Sequence, residues 1–176
     1  MNSQKETLRR KIRKQLRPLS PAIIAQHSEK IRDLLRFAPG TSVALFAGTR
    51  HEPALLNLCA RPEPISWYLP KITGPGEMEF FPFTRDDRLV SGPFGILEPP
   101  EGQAVDDLEV ILCPGLAFTR KGHRLGQGGG YYDRALARFP KARKVGVAFP
   151  CQIVPLLPHE PHDAMMDAVI TPTGEP

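Results

Sequence analysis

Short apolar runs recur along the chain, and they constrain its fold more than any other feature. They lie at residues 42–47, 65–69, 79–83, 108–113, 145–149 and 167–171. Runs without alternating polar residues are typical of strands whose two faces are both covered by helices, as in parallel sheets. The pattern therefore predicts a three-layer α/β fold, with a mostly parallel sheet and helices on both faces. Pro82 places the run at 79–83 at a sheet edge.

Helices are predicted in the segments between these runs. Residues 3–17 have apolar side chains at four-residue spacing, which indicates an amphipathic helix. A Ser-Pro pair opens a second helix over residues 20–37, because serine caps a helix and proline fits its first turn. Further helices are expected from Pro53 and over residues 131–139.

Positive charge is concentrated at the N-terminus. The net charge is +4, and Lys5, Arg9 and Arg13 form a stripe at four-residue spacing on the first helix. From the pattern alone, a solvated helix face is the favoured interpretation of this stripe. Basic charge also permits an anionic small molecule or a nucleic acid as partner.

Length and composition narrow the class of protein. The 176 residues are predicted to form a single domain over 1–176, acting as a monomer. No apolar run approaches the roughly 20 residues that a membrane span needs, so no membrane partner is expected. The three cysteines are widely spaced, which favours neither a disulfide framework nor a zinc site. A basic start without a following apolar segment predicts a cytoplasmic protein.

A glycine-rich loop is the strongest functional signal. Four of the five residues at 126–130 are glycine, arginines flank the loop, and a predicted helix follows it. Exposed backbone N–H groups in such a loop form a concave site for phosphate oxygens, and a helix N-terminus adds positive potential. The loop is neither a Walker motif nor a dinucleotide fingerprint, since Tyr131 replaces the third glycine. A flexible charged turn is the alternative.

The remaining residues favour phosphoryl transfer over covalent catalysis. No nucleophile elbow is present, whereas phosphoryl transfer needs mainly positioning and charge neutralisation. Magnesium is commonly held by one or two carboxylates, and Asp133 and Asp167 are the candidates. Their alternatives are a first-turn acid that complements the helix dipole and a strand-start turn residue, respectively.

Taken together and in order, these residues resemble the 5-formyltetrahydrofolate cyclo-ligase family over nearly the whole chain. The motifs are Lys5-x-x-x-Arg9, Leu69-Pro70-Lys71, Met78-Glu79-Phe80, Gly95-Ile96-Leu97-Glu98-Pro99, Pro114 to Phe118 with Gly122 to Arg134, Val145 to Phe149 with Gln152, and Leu157-Pro158 with His162-Asp163 and Asp167.

The resemblance implies a fold like that of ribose-phosphate isomerases and coenzyme A transferases, and a reaction that requires ATP and Mg²⁺. The formyl oxygen of 5-formyltetrahydrofolate would attack the γ-phosphate of ATP, and ADP would leave. N10 would then add to the activated carbon, and phosphate would leave to give 5,10-methenyltetrahydrofolate. No protein nucleophile is needed.

The resemblance also implies residue roles. ATP would be bound by Lys5, Arg9, Arg124, Leu125, Gly126, Gln127, Gly128, Gly129, Gly130, Tyr131 and Tyr132, among which Arg124 and Tyr132 would be catalytic. The folate would contact Ala47, Glu52, Gln127, Gly128, Gly129, Gly130 and Tyr131. Magnesium would be held by Asp133 and Asp167. Gln127 departs from the family, in which a basic or aromatic residue is expected.

Two other interpretations stay open at this point. One is a noncatalytic folate-binding protein, and the other is a nucleic-acid-binding module that uses the basic first helix; the resemblance favours no nucleic-acid partner. The aromatic residues Trp67, Phe80, Phe81 and Phe83 could stack on a pterin ring, although core packing is the favoured role for most of them.

Overall fold

The computed structural model describes residues 2–176, which form ten strands and three α-helices. The strands are β1 (Ser42–Ala44), β2 (Ser66–Gly74), β3 (Glu77–Pro82), β4 (Val90–Ser91), β5 (Leu97–Glu98), β6 (Val110–Cys113), β7 (Ala117–Phe118), β8 (Arg124–Leu125), β9 (Arg143–Val147) and β10 (Ala168–Ile170). The helices are α1 (Asn2–Leu16), α2 (Pro21–Leu34) and α3 (Tyr131–Ala137). Within residues 2–176, no helix has the length and apolar character to cross a bilayer.

Six strands form the central sheet in the order β10-β9-β6-β1-β2-β3. The first five are parallel to one another, and β3 pairs antiparallel with β2 at the edge. Strands β4 with β5 and β7 with β8 form two small separate hairpins. The predicted α/β class, the mostly parallel sheet and the edge position of Pro82 are confirmed.

Both faces of the sheet carry a hydrophobic core. Val43 belongs to the same hydrophobic cluster as Ile12 of α1 and Ile31 of α2, whereas its neighbour Ala44 belongs to a second cluster that includes Leu136 of α3. This alternation follows from the strand period of two, which points successive side chains to opposite faces. The predicted three layers are therefore present.

The crossovers contain less helix than the sequence pattern predicts. Instead of a helix opening at Pro53, residues Leu56–Ala60 form a short 3-10 helix. Prolines at 53, 62 and 64 bound this segment and leave little room for a longer helix. The predicted start of α2 is confirmed, because the Ser20 hydroxyl oxygen accepts a hydrogen bond from the Ile23 amide at 3.3 Å.

Candidate active site

A cleft of about 510 Å³ opens at the carboxyl ends of β1, β2 and β6. Its floor includes Ala47 beyond β1, Pro70 and Ile72 in β2, and Gly115 beyond β6. Ligands of open α/β sheets gather at this edge. All predicted site residues line the cleft except Gly129 and Asp167.

The backbone of the glycine loop requires glycine at two positions. Gly128 and Gly130 have φ angles of 112° and 68°, which L side chains rarely adopt. A Cβ on Gly128 would lie 3.4 Å from the guanidinium carbon of Arg9, and one on Gly130 would lie 2.7 Å from Nη1 of Arg134. Arg134 holds the loop, because its Nη2 donates to the Gly129 carbonyl at 2.6 Å.

Lys5 and Arg9 face the cleft and are 7% and 9% exposed. The solvated-face interpretation of the stripe therefore fails at these two residues. Arg9 Nε donates to the Gly126 carbonyl at 3.1 Å, so α1 is tied directly to the glycine loop. Arg9 Nη1 also lies 3.2 Å from a Glu6 carboxylate oxygen.

Lys5 joins α1 to the segment that precedes β10. Its Nζ donates to Glu160 Oε2 and Asp163 Oδ2, each at 2.7 Å. Burial lowers the pKa of Lys5, but the two carboxylates outweigh it and the net shift is upward. Burial alone would raise the pKa of Asp163, whereas the Lys5 hydrogen bond brings it below its usual value. The separate hydrogen bond from Lys5 to Glu160 lowers the pKa of Glu160.

These shifts predict how the ion-pair cluster depends on pH. The lowered carboxyl pKa values add stability above the ordinary carboxyl range, and this is lost as the pH falls through them. Because the pKa of Lys5 is raised, its ion pairs stabilise the folded protein fully below about pH 10.4. This contribution to stability is lost as the pH rises through the raised pKa. In urea unfolding without ligands, Lys5→Met is therefore expected to lower stability at pH 7 more than at pH 3. An equal loss at both pH values would contradict a charge-based role.

Arg124 and Asp133 form a second ion pair within the cleft. Arg124 Nη2 lies 2.7 Å from Asp133 Oδ1, and the guanidinium carbon lies 5.5 Å from the Tyr132 ring centroid. The Tyr132 hydroxyl is buried and has no hydrogen-bond partner among residues 2–176. Burial raises the pKa of Tyr132 well above its usual value, so this group is a neutral hydrogen-bond donor. Tyr132 is one of the residues that line the cleft.

The two predicted metal ligands lie at different places. The exposed Asp167 immediately precedes β10, and its carboxylate accepts a hydrogen bond from the Lys144 amide at 2.7 Å near the start of β9. Because Asp167 precedes a parallel strand, it lies at the amino ends of the strands, whereas the cleft lies at their carboxyl ends. Asp163 instead lines the cleft, and the next residue, Ala164, donates its amide to Asp133 Oδ1 at 3.3 Å.

The cleft thus offers carboxylate oxygens from two sides, the donor type that suits Mg²⁺. Asp133 comes from α3, and Asp163 comes from the segment before β10. Glu160, His162 and Asp163 also have ligand atoms within 4.8 Å of one another. Asp133 and Asp163 are paired with Arg124 and Lys5, so a cation bound there would replace these partners.

Phe94 is a cleft residue that the sequence reasoning missed. It lies between β4 and β5, is 78% exposed and has a φ of 60°, which is unusual for a bulky residue. Its ring packs edge-on to Tyr131 with centroids 6.3 Å apart. The four aromatic residues considered from the sequence are all buried: Trp67, Phe80, Phe81 and Phe83. The only signal for Phe94 was its place directly before the Gly95 motif.

The fold and the site together define an α/β enzyme whose cleft is bordered by a glycine-rich loop and by carboxylate side chains. Residues 1–172 match the sequence profile of the 5-formyltetrahydrofolate cyclo-ligase family. The chain therefore belongs to the 5-formyltetrahydrofolate cyclo-ligase family, and it is a ligase of folate and one-carbon metabolism.

Individual relatives agree with this assignment over the full chain. The NMR structure of 5,10-methenyltetrahydrofolate synthetase from Aquifex aeolicus is 33% identical, with a TM-score of 0.82, and the match covers 97% of this chain and 91% of that one. The 5-formyltetrahydrofolate cyclo-ligase of Saccharomyces cerevisiae is 28% identical over 97% of this chain and 96% of its own. The mitochondrial cyclo-ligase of Arabidopsis thaliana is 28% identical over 97% of this chain and 75% of its own.

Proposed function

We propose that this cyclo-ligase uses ATP and Mg²⁺ to convert 5-formyltetrahydrofolate to 5,10-methenyltetrahydrofolate. The observation that carries the proposal is the junction of α1 with the glycine loop. There, the buried side chains of Lys5 and Arg9 and the loop amides border one cleft. Such a set of donors suits a triphosphate, since phosphoryl transfer depends on positioning and charge neutralisation.

In this proposal, Arg124 and Tyr132 act on the transferred phosphoryl group. The Arg124 guanidinium and the neutral Tyr132 hydroxyl donate hydrogen bonds to oxygens on which charge develops. The formyl oxygen attacks the γ-phosphorus as the bond to ADP breaks. N10 then adds to the formyl carbon and loses its proton, and the phosphorylated oxygen leaves as phosphate. An amide-like oxygen becomes a competent leaving group only after it is phosphorylated.

We assign the metal to Asp133 and Asp163, because both line the cleft whereas Asp167 is hydrogen-bonded at the opposite edge. Bound Mg²⁺ would neutralise phosphate charge. The Lys5 ammonium would then donate to a phosphate oxygen instead of to Asp163. A lysine ammonium suits this change of partner because its donors rotate freely.

The folate is proposed to lie between Phe94 and the region of Ala47 and Glu52. The Glu52 carboxylate accepts the Thr49 amide at 2.8 Å, which fixes its position at the cleft wall. The exposed Phe94 ring offers an apolar face to a planar pterin, and the strain of its backbone favours a functional reason for its conformation.

Phe94→Ala is expected to raise KM for 5-formyltetrahydrofolate about tenfold, as one aromatic stacking contact is lost. KM for ATP should change little, and thermal stability should not fall, since the ring is mostly exposed. Steady-state kinetics and thermal unfolding measure both. Phe94→Tyr keeps the ring and is the matched control. If the tyrosine variant lost as much affinity as the alanine variant, stacking would be excluded as the cause.

One assay tests the proposed function directly. Purified protein with 5-formyltetrahydrofolate, Mg²⁺ and ATP should generate methenyl absorbance together with equimolar ADP and phosphate. Omission of ATP should abolish the product. Folate binding without ATP-dependent product would support a noncatalytic binding protein instead. The predicted cytoplasmic location and monomeric state remain predictions.

A further inference from the structure

A second cavity of about 300 Å³ adjoins the main cleft. The two share the lining residues Thr49, Glu52, Gly115 and Gln127. A ligand in the cleft can therefore extend past Glu52 and Gln127 without leaving the protein surface. We refer to this second cavity as the annex.

Arg13 of the N-terminal stripe and Arg17, the residue directly after α1, line the annex. Arg17 continues the helical spiral, because its amide donates to the Arg13 carbonyl at 3.1 Å. Lys5, Arg9, Arg13 and Arg17 thus follow one another at four-residue spacing on one side of the helix. The first two serve the main cleft, and the last two serve the annex.

The annex favours an anion. Arg13 Nη2 donates to Gln127 Oε1 at 3.0 Å, which holds the guanidinium at the boundary of the two cavities. Arg17 has no ion-pair partner among residues 2–176, and the buried Nδ1 of His51 has no hydrogen-bond partner there. The one acidic group in the lining, Glu52, already accepts a hydrogen bond from the Thr49 amide. Arg13 is also 3.7 Å from Glu6, a weak contact between exposed side chains.

We propose that the annex binds the glutamate tail of the folate substrate, with Arg13 and Arg17 pairing with its carboxylates. This inference rests on the proposed function, in which the pterin end of the folate occupies the main cleft. The tail is at the other end of that molecule and carries at least two carboxylates, and each added γ-linked glutamate adds one more. Arg13 and Arg17 lie at the exposed rim, so tails of different length fit without burial of unpaired charge.

Direct binding without ATP or Mg²⁺ tests the proposal independently of catalysis. The probes are the mono- and triglutamate forms of 5-formyltetrahydrofolate and 5-formyltetrahydropteroate, which lacks the tail. The parent protein is expected to bind the triglutamate most tightly and the tail-less compound most weakly. Because exposed ion pairs are individually weak, Arg13→Gln or Arg17→Gln should weaken triglutamate binding about threefold, and the double variant about tenfold. Added salt should reduce these differences.

Binding of the tail-less compound should be unchanged in all three variants, and Arg10→Gln is the matched control. Arg10 is exposed on the same helix and lines neither cavity. An equal loss for tail-less and glutamylated ligands would overturn the proposal, as would no loss for the triglutamate. An increase in KM for ATP in the double variant, with folate binding unchanged, would assign the annex to the nucleotide instead. Tight folate binding without turnover would refute the proposed reaction and leave the tail site intact.

Discussion

Replacing Asp163 by asparagine is expected to lower kcat at least about 100-fold, because charge neutralisation by a metal at phosphate oxygens supplies several kcal/mol. The Mg²⁺ concentration needed for half-maximal rate should rise at the same time. Asparagine preserves the size of the side chain and one acceptor oxygen, so the loss isolates the charge. Initial rates across a Mg²⁺ titration at saturating ATP measure both effects.

Asp167→Asn is the matched control, since the same substitution is made four residues away at the opposite sheet edge. Asp167 accepts a backbone amide of Lys144, so its variant should lose some stability but keep its Mg²⁺ dependence. The reverse pattern, with a changed Mg²⁺ requirement only in Asp167→Asn, would return the metal role to Asp167. Asp133→Asn is expected to behave like Asp163→Asn.

Arg9→Ala is expected to raise KM for ATP by about 10- to 100-fold. Part of this loss comes from a charge-assisted hydrogen bond to phosphate, and part from the lost anchor at the Gly126 carbonyl. The folate affinity measured without ATP should change much less. Nucleotide binding is best measured directly, by titration of a non-hydrolysable ATP analogue into each variant.

Arg10→Ala provides the comparison on the same helix, because it removes an equal charge from an exposed position outside the cleft. A general electrostatic effect of the basic helix would weaken ATP binding in both variants alike. Unchanged ATP affinity in Arg9→Ala would remove α1 from the nucleotide site and leave the loop amides as the main triphosphate ligand.

The strand pattern was predictable because short, continuous apolar runs are typical of strands that are buried on both faces of a sheet. The capped start of α2 and the edge position of Pro82 were predictable for similarly local reasons. The glycine loop was also evident from the sequence, because glycine is the residue type that readily adopts the positive φ angles found at Gly128 and Gly130. The short 3-10 helix after Pro53 was not predictable in the same way. Pro53 indicates where a helix can start, but it does not indicate that the next two prolines leave room for only a short one.

Sequence alone therefore determined the layers, the glycine-rich loop and the family, all of which depend on local composition or on residue order. Tertiary structure decided which charges meet. It separated Asp163 from Asp167, because within four residues the chain passes from the carboxyl ends of the parallel strands to their amino ends. It buried Lys5 and Arg9 by packing α1 against the loop, and it brought Arg13 and Arg17 beside the annex. Each of these depends on distances between segments that are remote in sequence, and spacing along the chain carries no record of them.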